Sequence, residues 1–115
     1  MGNNMAAVPR LGINSFKVWN EALHGVMGGF NMAVGAGSPT SFPNSVALES
    51  KWDPELMERE TRAISDAAWA LNSPVIAGLT YWSPVVEPIR DPRWGRTGES
   101  FGEDPFLVSQ FRVVS

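Results

Sequence analysis

Residues 53–86 read DPELMERETRAISDAAWALNSPVIAGLTYWSPVV, and this stretch decides the fold class. Asp53, Pro54 and Glu55 form a helix start: a side-chain acceptor for the first free N–H groups, a proline where its missing donor costs little, and an acid at the positive end of the helix dipole. Met57, Ile64, Ala68 and Leu71 then fall on one stripe, flanked by Leu56, Ala63 and Ala67. On the other side Glu55 with Arg59 and Glu58 with Arg62 are spaced for i,i+4 pairing. Asn72, Ser73 and Pro74 end the helix. Val75–Val86 follows, nearly all apolar and short enough for a strand buried on both faces.

The same alternation extends outward. Downstream, residues 90–103 are polar, charged and glycine-bearing, and Asp104-Pro105 repeats the cap-plus-proline start before Phe106, Leu107, Val108, Phe111 and Val114, which predicts a second helix. Upstream, Ile13, Phe16, Val18 and Trp19 predict a strand over 11–19, after the break at Pro9 and Gly12. Between that strand and Trp52, Gly25, Gly28, Gly29, Gly35, Gly37, Pro39 and Pro43 predict a long connection with one helical turn near 45–50.

Strand, long loop, helix, strand, loop, helix is the order of βα units with parallel strands. A βα barrel takes ~250 residues, and two of its eight units alone would leave edge strands and helix faces uncovered. The predicted fold is therefore α/β: a partial (β/α)8 TIM-type barrel holding the first two βα units, with residues 1–115 one piece of a single barrel domain. A dinucleotide-binding reading of the βα order fails, because Gly35-Ala36-Gly37-Ser38-Pro39-Thr40 lacks the third glycine and the following helix.

Composition narrows the chemistry. The 115 residues are 43% hydrophobic and 18% charged, with five Trp, which is too apolar for a disordered tail. Nine Lys and Arg against twelve Asp and Glu give a net charge of −3, which disfavours nucleic acid and anionic lipid as partners. No Cys and a single His exclude a disulfide, a thiol nucleophile and the usual zinc ligand sets. No apolar run reaches the ~18 residues of a membrane span, and the first twelve residues carry no secretory signal pattern. Ala6 stands where a myristoylation motif wants Ser or Thr.

In a βα barrel the loops leaving the strand C-termini form the active-site rim, and both polar clusters of this chain fall in such loops. The first is Asn20-Glu21-Ala22-Leu23-His24-Gly25-Val26 and the second Arg90-Asp91-Pro92-Arg93-Trp94-Gly95-Arg96. Carboxylates, fork-shaped guanidinium groups and Trp faces together suit a sugar, whose hydroxyls want bidentate partners and whose C–H faces stack on aromatic rings.

These segments, with Val8-Pro9-Arg10-Leu11-Gly12-Ile13, Thr40-Ser41-Phe42-Pro43, Trp52-Asp53-Pro54-Glu55-Leu56, Ala63-Ile64-Ser65-Asp66, Gly78-Leu79-Thr80-Tyr81-Trp82-Ser83-Pro84 and Gly102-Glu103-Asp104-Pro105, resemble the N-terminal barrel domain of family 3 glycoside hydrolases, the β-glucosidase and β-xylosidase family. The resemblance covers nearly the whole chain in order. It implies a retaining exo-acting β-glycosidase that hydrolyses O-glycosidic bonds at the nonreducing ends of xylo- or gluco-oligosaccharides. The Trp19 to Gly25 string looks most like the β-xylosidase branch, in which α-arabinofuranosidase activity also occurs. The rival readings are a β-glucosidase or α-arabinofuranosidase of the same family and a noncatalytic carbohydrate-binding or interaction module.

The resemblance further implies that more chain precedes the first strand and that the catalytic pair lies elsewhere: an Asp nucleophile in a Ser-Asp-Trp-like motif beyond Ser115, and a Glu acid/base from beyond the barrel. Ser65-Asp66-Ala67-Ala68-Trp69 imitates the nucleophile motif but sits inside the amphipathic helix, with Asp66 on its solvated side. The expected partners are an oligosaccharide or small glycoside and the remainder of the protein's own chain. No cofactor is called for, and the isolated 115 residues are expected to be inactive and poorly folded. The resemblance is compatible with an extracellular or periplasmic compartment.

By motif position the resemblance puts Glu21 where many members carry an Asp that accepts hydrogen bonds from the outer hydroxyls of the nonreducing-end sugar, and Arg96 in the place of an Arg that donates to them. The bland alternatives are a loop-capping role for Glu21 and, for Arg96, an ion pair with Asp91 or Glu99. Trp19 and His24 complete the candidate substrate-binding set, against core filling for Trp19 and a hydrogen bond within the loop for His24. Trp94 shares the choice between stacking and burial. Asp91, before Pro92, is expected to shape its loop through an Asx-type turn, and Arg90 and Arg93 to form ion pairs within that loop. Val85 and Thr97-Gly98-Glu99-Ser100 depart from the residues common in the family, as does the short apolar stretch 72–77.

Overall fold

The structure, a computed structural model, describes residues 4–27, 39–72 and 78–114. Its regular elements are strand β1 (Asn4–Met5), strand β2 (Phe16–Lys17), helix α1 (Ser45–Glu49), helix α2 (Pro54–Asn72) and helix α3 (Pro105–Val114), with 3-10 turns at Pro9–Leu11 and Thr97–Glu99.

Both long helices start where the local chemistry requires. Asp53 Oδ1 accepts the Leu56 N–H at 2.9 Å, Asp104 Oδ1 accepts the Phe106 N–H at 2.8 Å, and a proline occupies the first position of each helix. The α2 stripe is buried as its spacing predicts, through Met57, Ala68 and Leu71. Glu58 and Arg62 form the i,i+4 ion pair on the outer face, whereas Glu55 and Arg59 do not pair with each other. Asn44 Oδ1 caps α1, taking the Ser45 N–H at 2.9 Å.

The strands differ from expectation. Of the predicted strand over 11–19 only Phe16–Lys17 enters a ladder, and its partner is Asn4–Met5 in antiparallel register. Pro9 and Gly12 are the reason: Pro9 opens a 3-10 turn that Gly12 closes at φ 68, its N–H bonded to the Pro9 carbonyl, and Val8 pairs with Ile13 across that turn. Leu11 and Gly12 thus form the bend of a hairpin. In the second predicted strand, residues 75–77 lie outside the described residues, and 78–86 join no ladder beyond a single parallel bridge from Val85 to Ser100.

Residues 17–22 and 78–83 nonetheless run side by side in the same direction. Gly78 packs on Lys17, where an added β-carbon would meet the Lys17 Cβ at 3.1 Å. Asn20 Nδ2 donates to the Thr80 carbonyl at 2.9 Å, the Trp82 N–H to the Asn20 carbonyl at 3.1 Å, and Trp82 Nε1 to the Val18 carbonyl at 2.9 Å. Side chains supply much of what a parallel ladder would, so the neighbours that the βα order predicts are adjacent while the ladder itself is absent among the described residues.

Two apolar clusters hold these pieces. Leu48, Met57, Phe101, Leu107, Val108 and Phe111 join α1, α2 and α3, with Phe101 and Phe111 stacked at 5.6 Å between ring centroids. Val26, Ala68 and Leu71, backed by Ile64, Ala67 and Tyr81, pin the loop after residue 20 to α2. Phe106, at the second position of α3, points outward at 71% exposure. Among the described residues no helix is long and apolar enough to cross a membrane.

Candidate functional site

Asn20 is fully buried, and its bonds to Thr80 and Trp82 fix the point at which the chain leaves the paired segments. Glu21 comes next. Its backbone pairs with Met27 across the loop, and its side chain, half-buried, turns back on the loop. Oε1 accepts the Ala22 N–H at 2.8 Å and the hydroxyl of Ser83, while Ser83 Oγ also accepts the Ala22 N–H at 3.0 Å. Glu21 therefore does cap its own loop, with one oxygen engaged and Oε2 uncommitted among the described residues.

Arg96 opens the Thr97–Glu99 turn and gives Nε to Glu99 Oε2 at 2.9 Å and Nη2 to the same oxygen at 2.5 Å. Of the two ion-pair partners the sequence offers, Glu99 is the one used. This bond, with the Glu99 charge, raises the Arg96 pKa, and the negative charge of Glu21 adds a smaller push in the same direction. The pair correspondingly lowers the Glu99 pKa. Glu21 and Arg96 lie 75 positions apart in the sequence, and the Arg96 side chain is 58% exposed.

His24 serves its loop. Its Nδ1 lies 3.3 Å from Ser41 Oγ and its carbonyl accepts the Phe42 N–H at 2.7 Å, so it joins 24–25 to the Thr40-Ser41-Phe42-Pro43 segment. Trp19 is half-buried at the end of the paired segment. Trp94 is half-buried too and lines a cleft with Glu87, Pro88, Arg90 and Asp91. Asp91 Oδ1 accepts the Arg93 N–H at 2.8 Å, the expected Asx-type turn, and pairs with the Arg93 guanidinium, which lowers the Asp91 pKa. Arg90 pairs with Glu87.

Two features lie outside the set that the sequence points to. Ser83, held against Glu21, gives no sequence signal, because the two are 62 positions apart. Glu60 is buried at 7% exposure and, with Met57, Ile64, Tyr81 and Ser83, lines a cavity of about 280 Å³ between α2 and residues 79–84. Burial raises the Glu60 pKa, with Lys51 opposing. A signal for it does exist in the sequence, since position 60 falls between Met57 and Ile64 on the buried stripe. The Tyr81 hydroxyl in the same wall has no hydrogen-bond partner among the described residues.

Two segments that run side by side in the same direction, each followed by a loop and a helix, define the class, an α/β arrangement. The sequence matches the glycosyl hydrolase family 3 N terminal domain over residues 15–114, and the chain belongs to that family. It is 46% identical over 112 residues to β-D-xylosidase 1 of Arabidopsis thaliana, covering 95% of this chain and 14% of that protein. It is 40% identical to a probable exo-1,4-β-xylosidase of Aspergillus terreus, covering 94% and 15%, and 39% identical to β-xylosidase/α-L-arabinofuranosidase 2 of Medicago sativa, covering 95% and 14%. A solved family 3 exo-β-xylosidase in complex with a xylobiose aziridine activity-based probe superposes with a TM-score of 0.88 at 32% identity, over 98% of this chain and 15% of that one. The chain thus spans about one seventh of the length of these relatives.

Proposed function

We propose that the protein carrying this chain is a retaining exo-acting β-xylosidase, and that residues 1–115 are the first two βα units of its N-terminal barrel. These units supply substrate-binding groups, Glu21 and Arg96 foremost with Trp19 and His24 at the rim, while the nucleophile and the acid/base come from the rest of the protein. What supports the binding role is that Glu21, anchored through Oε1 by Ser83 and the Ala22 N–H, keeps Oε2 free among the described residues, and that the Arg96 guanidinium is 58% exposed with Nη1 outside its pair with Glu99. One accepts and the other donates, which is what adjacent sugar hydroxyls require. What supports membership in a larger domain is the radius of gyration, 16.1 Å against ~13 Å for a compact 100-residue domain, and the exposure of Trp69, Trp82 and Phe106.

Retention requires two carboxyl groups ~5 Å apart, one attacking the anomeric carbon and one protonating the leaving oxygen. Glu21 does neither. It accepts from outer hydroxyls through Oε2, the oxygen that its loop leaves free, and Glu rather than Asp gives the carboxylate one methylene more reach toward the space that the C6 hydroxymethyl of a hexose needs. A hexose must then displace a carboxylate that Ser83 and the Ala22 N–H hold in place, which discriminates more sharply than a lost contact.

The test is the efficiency of the full-length protein on aryl β-xyloside, aryl β-glucoside and aryl α-arabinofuranoside, for the wild type and for Glu21→Asp. Preference for the xyloside, shifted toward the glucoside by the substitution, is expected. A wild type that favours the glucoside, or an Asp variant with no shift, overturns the reading.

A further inference from the structure

We infer that Ser83 is a positioning residue for the Glu21 carboxylate, an inference that rests on the reading of Glu21 as the acceptor of sugar hydroxyls. A carboxylate that must meet a hydroxyl from a fixed direction needs one oxygen anchored and the other free. Glu21 has that arrangement. Oε1 takes the Ser83 hydroxyl and the Ala22 N–H, and Oε2 has no partner among the described residues.

The Ser83 hydroxyl has a single proton, and its direction is set from the other side. Because Oγ accepts the Ala22 N–H at 3.0 Å, the proton is left to point at Glu21. Ala22, Ser83 and Glu21 form a closed triangle of three hydrogen bonds spanning two segments of chain. Asn20, bonded to Thr80 and Trp82 on the preceding residues, fixes the distance between those segments. A flexible Glu side chain loses much rotational freedom on ligand binding, and the triangle removes that freedom in advance.

Ser83→Ala removes the proton donor and the acceptor at once. The carboxylate then keeps only the Ala22 N–H, and the full-length protein should lose about tenfold in kcat/KM on aryl β-xyloside, mostly through KM. Ser83→Thr keeps the hydroxyl and should restore most of the loss. The deciding measurement is a double-mutant cycle with Glu21→Ala, since Gln would keep an acceptor for the Ser83 hydroxyl. If Ser83 acts through the carboxylate, Ser83→Ala costs little once Glu21→Ala is already present.

Equal cost in both backgrounds overturns the inference, as does an unchanged Ser83→Ala protein when Glu21→Ala alone is damaging; in either case the binding role of Glu21 stands. If Glu21→Ala itself leaves xyloside kinetics unchanged, the binding role fails and the inference falls with it. Should Ser83→Ala not fold, the same cycle run with Ser83→Cys, a weaker donor of similar size, separates the same outcomes through smaller changes.

Discussion

Gly25 and Thr40 meet so closely that the Thr40 carbonyl oxygen occupies the place a β-carbon on residue 25 would take. Gly25 also has φ 121, a conformation that residues with side chains rarely adopt. The obstacle is backbone and cannot swing aside. Gly25→Ala should therefore destabilise the full-length protein by about 2 kcal/mol or more and separate His24 from Ser41 and Phe42. The check is the denaturation midpoint together with protease sensitivity between residues 20 and 45. An unchanged midpoint would show that the two loops are not held together as described.

Asp53 carries the start of α2 through one side-chain hydrogen bond, to the Leu56 N–H, and it is exposed. Asp53→Ala should cost about 1 kcal/mol, and Asp53→Asn, which keeps the acceptor, should cost much less. Equal losses in the two variants would assign the effect to the charge at the helix end rather than to the cap.

Glu60 gives stability a pH dependence of definite sign. Burial raises its folded pKa above the ordinary value of about 4.3, so the charged form is disfavoured in the folded state. That penalty is complete above the folded pKa and disappears as pH falls through it toward the unfolded value. Glu60→Gln, which has no charge to bury, should raise the melting temperature at pH 7, with the gain shrinking as pH falls through the raised folded pKa and gone below about pH 4.3. A gain that persists or grows in acid would point to packing instead.

Helix starts and loop turns are legible in the sequence because their causes are local. The Asp-Pro pairs at 53–54 and 104–105, the Asx-type turn of Asp91 and the Glu58–Arg62 pair each lie within four residues of their partners. The strands are less legible, since an apolar run says nothing about its neighbour: β2 pairs backward with Asn4–Met5, and residues 78–83 lie beside 17–22 through side-chain bonds. Pro9 and Gly12 signal a break, and only the pairing of Val8 with Ile13 shows that the break bends a hairpin instead of preceding a strand. In the candidate site the Arg96–Glu99 pair is visible at i+3, but the approach of Ser83 to Glu21 needs the tertiary fold.

Arg96 is not exhausted by its pair with Glu99. Both bonds of that pair go to Glu99 Oε2 from Nε and Nη2, which leaves Nη1 to donate elsewhere, and the side chain remains 58% exposed. An exposed ion pair of this kind adds little to stability, so Arg96→Ala should leave the fold intact. If the guanidinium donates to substrate hydroxyls, its loss should lower kcat/KM on aryl β-xyloside by about one to two orders of magnitude. Arg96→Lys should recover only part of that, since an ammonium cannot bond Glu99 and a hydroxyl with the same fixed fork. Glu99→Gln separates the two roles: it removes the charge partner but leaves the donor, and should change activity far less than Arg96→Ala. If Glu99→Gln is as damaging as Arg96→Ala, the pair is structural and Arg96 holds the Thr97–Glu99 turn rather than the sugar.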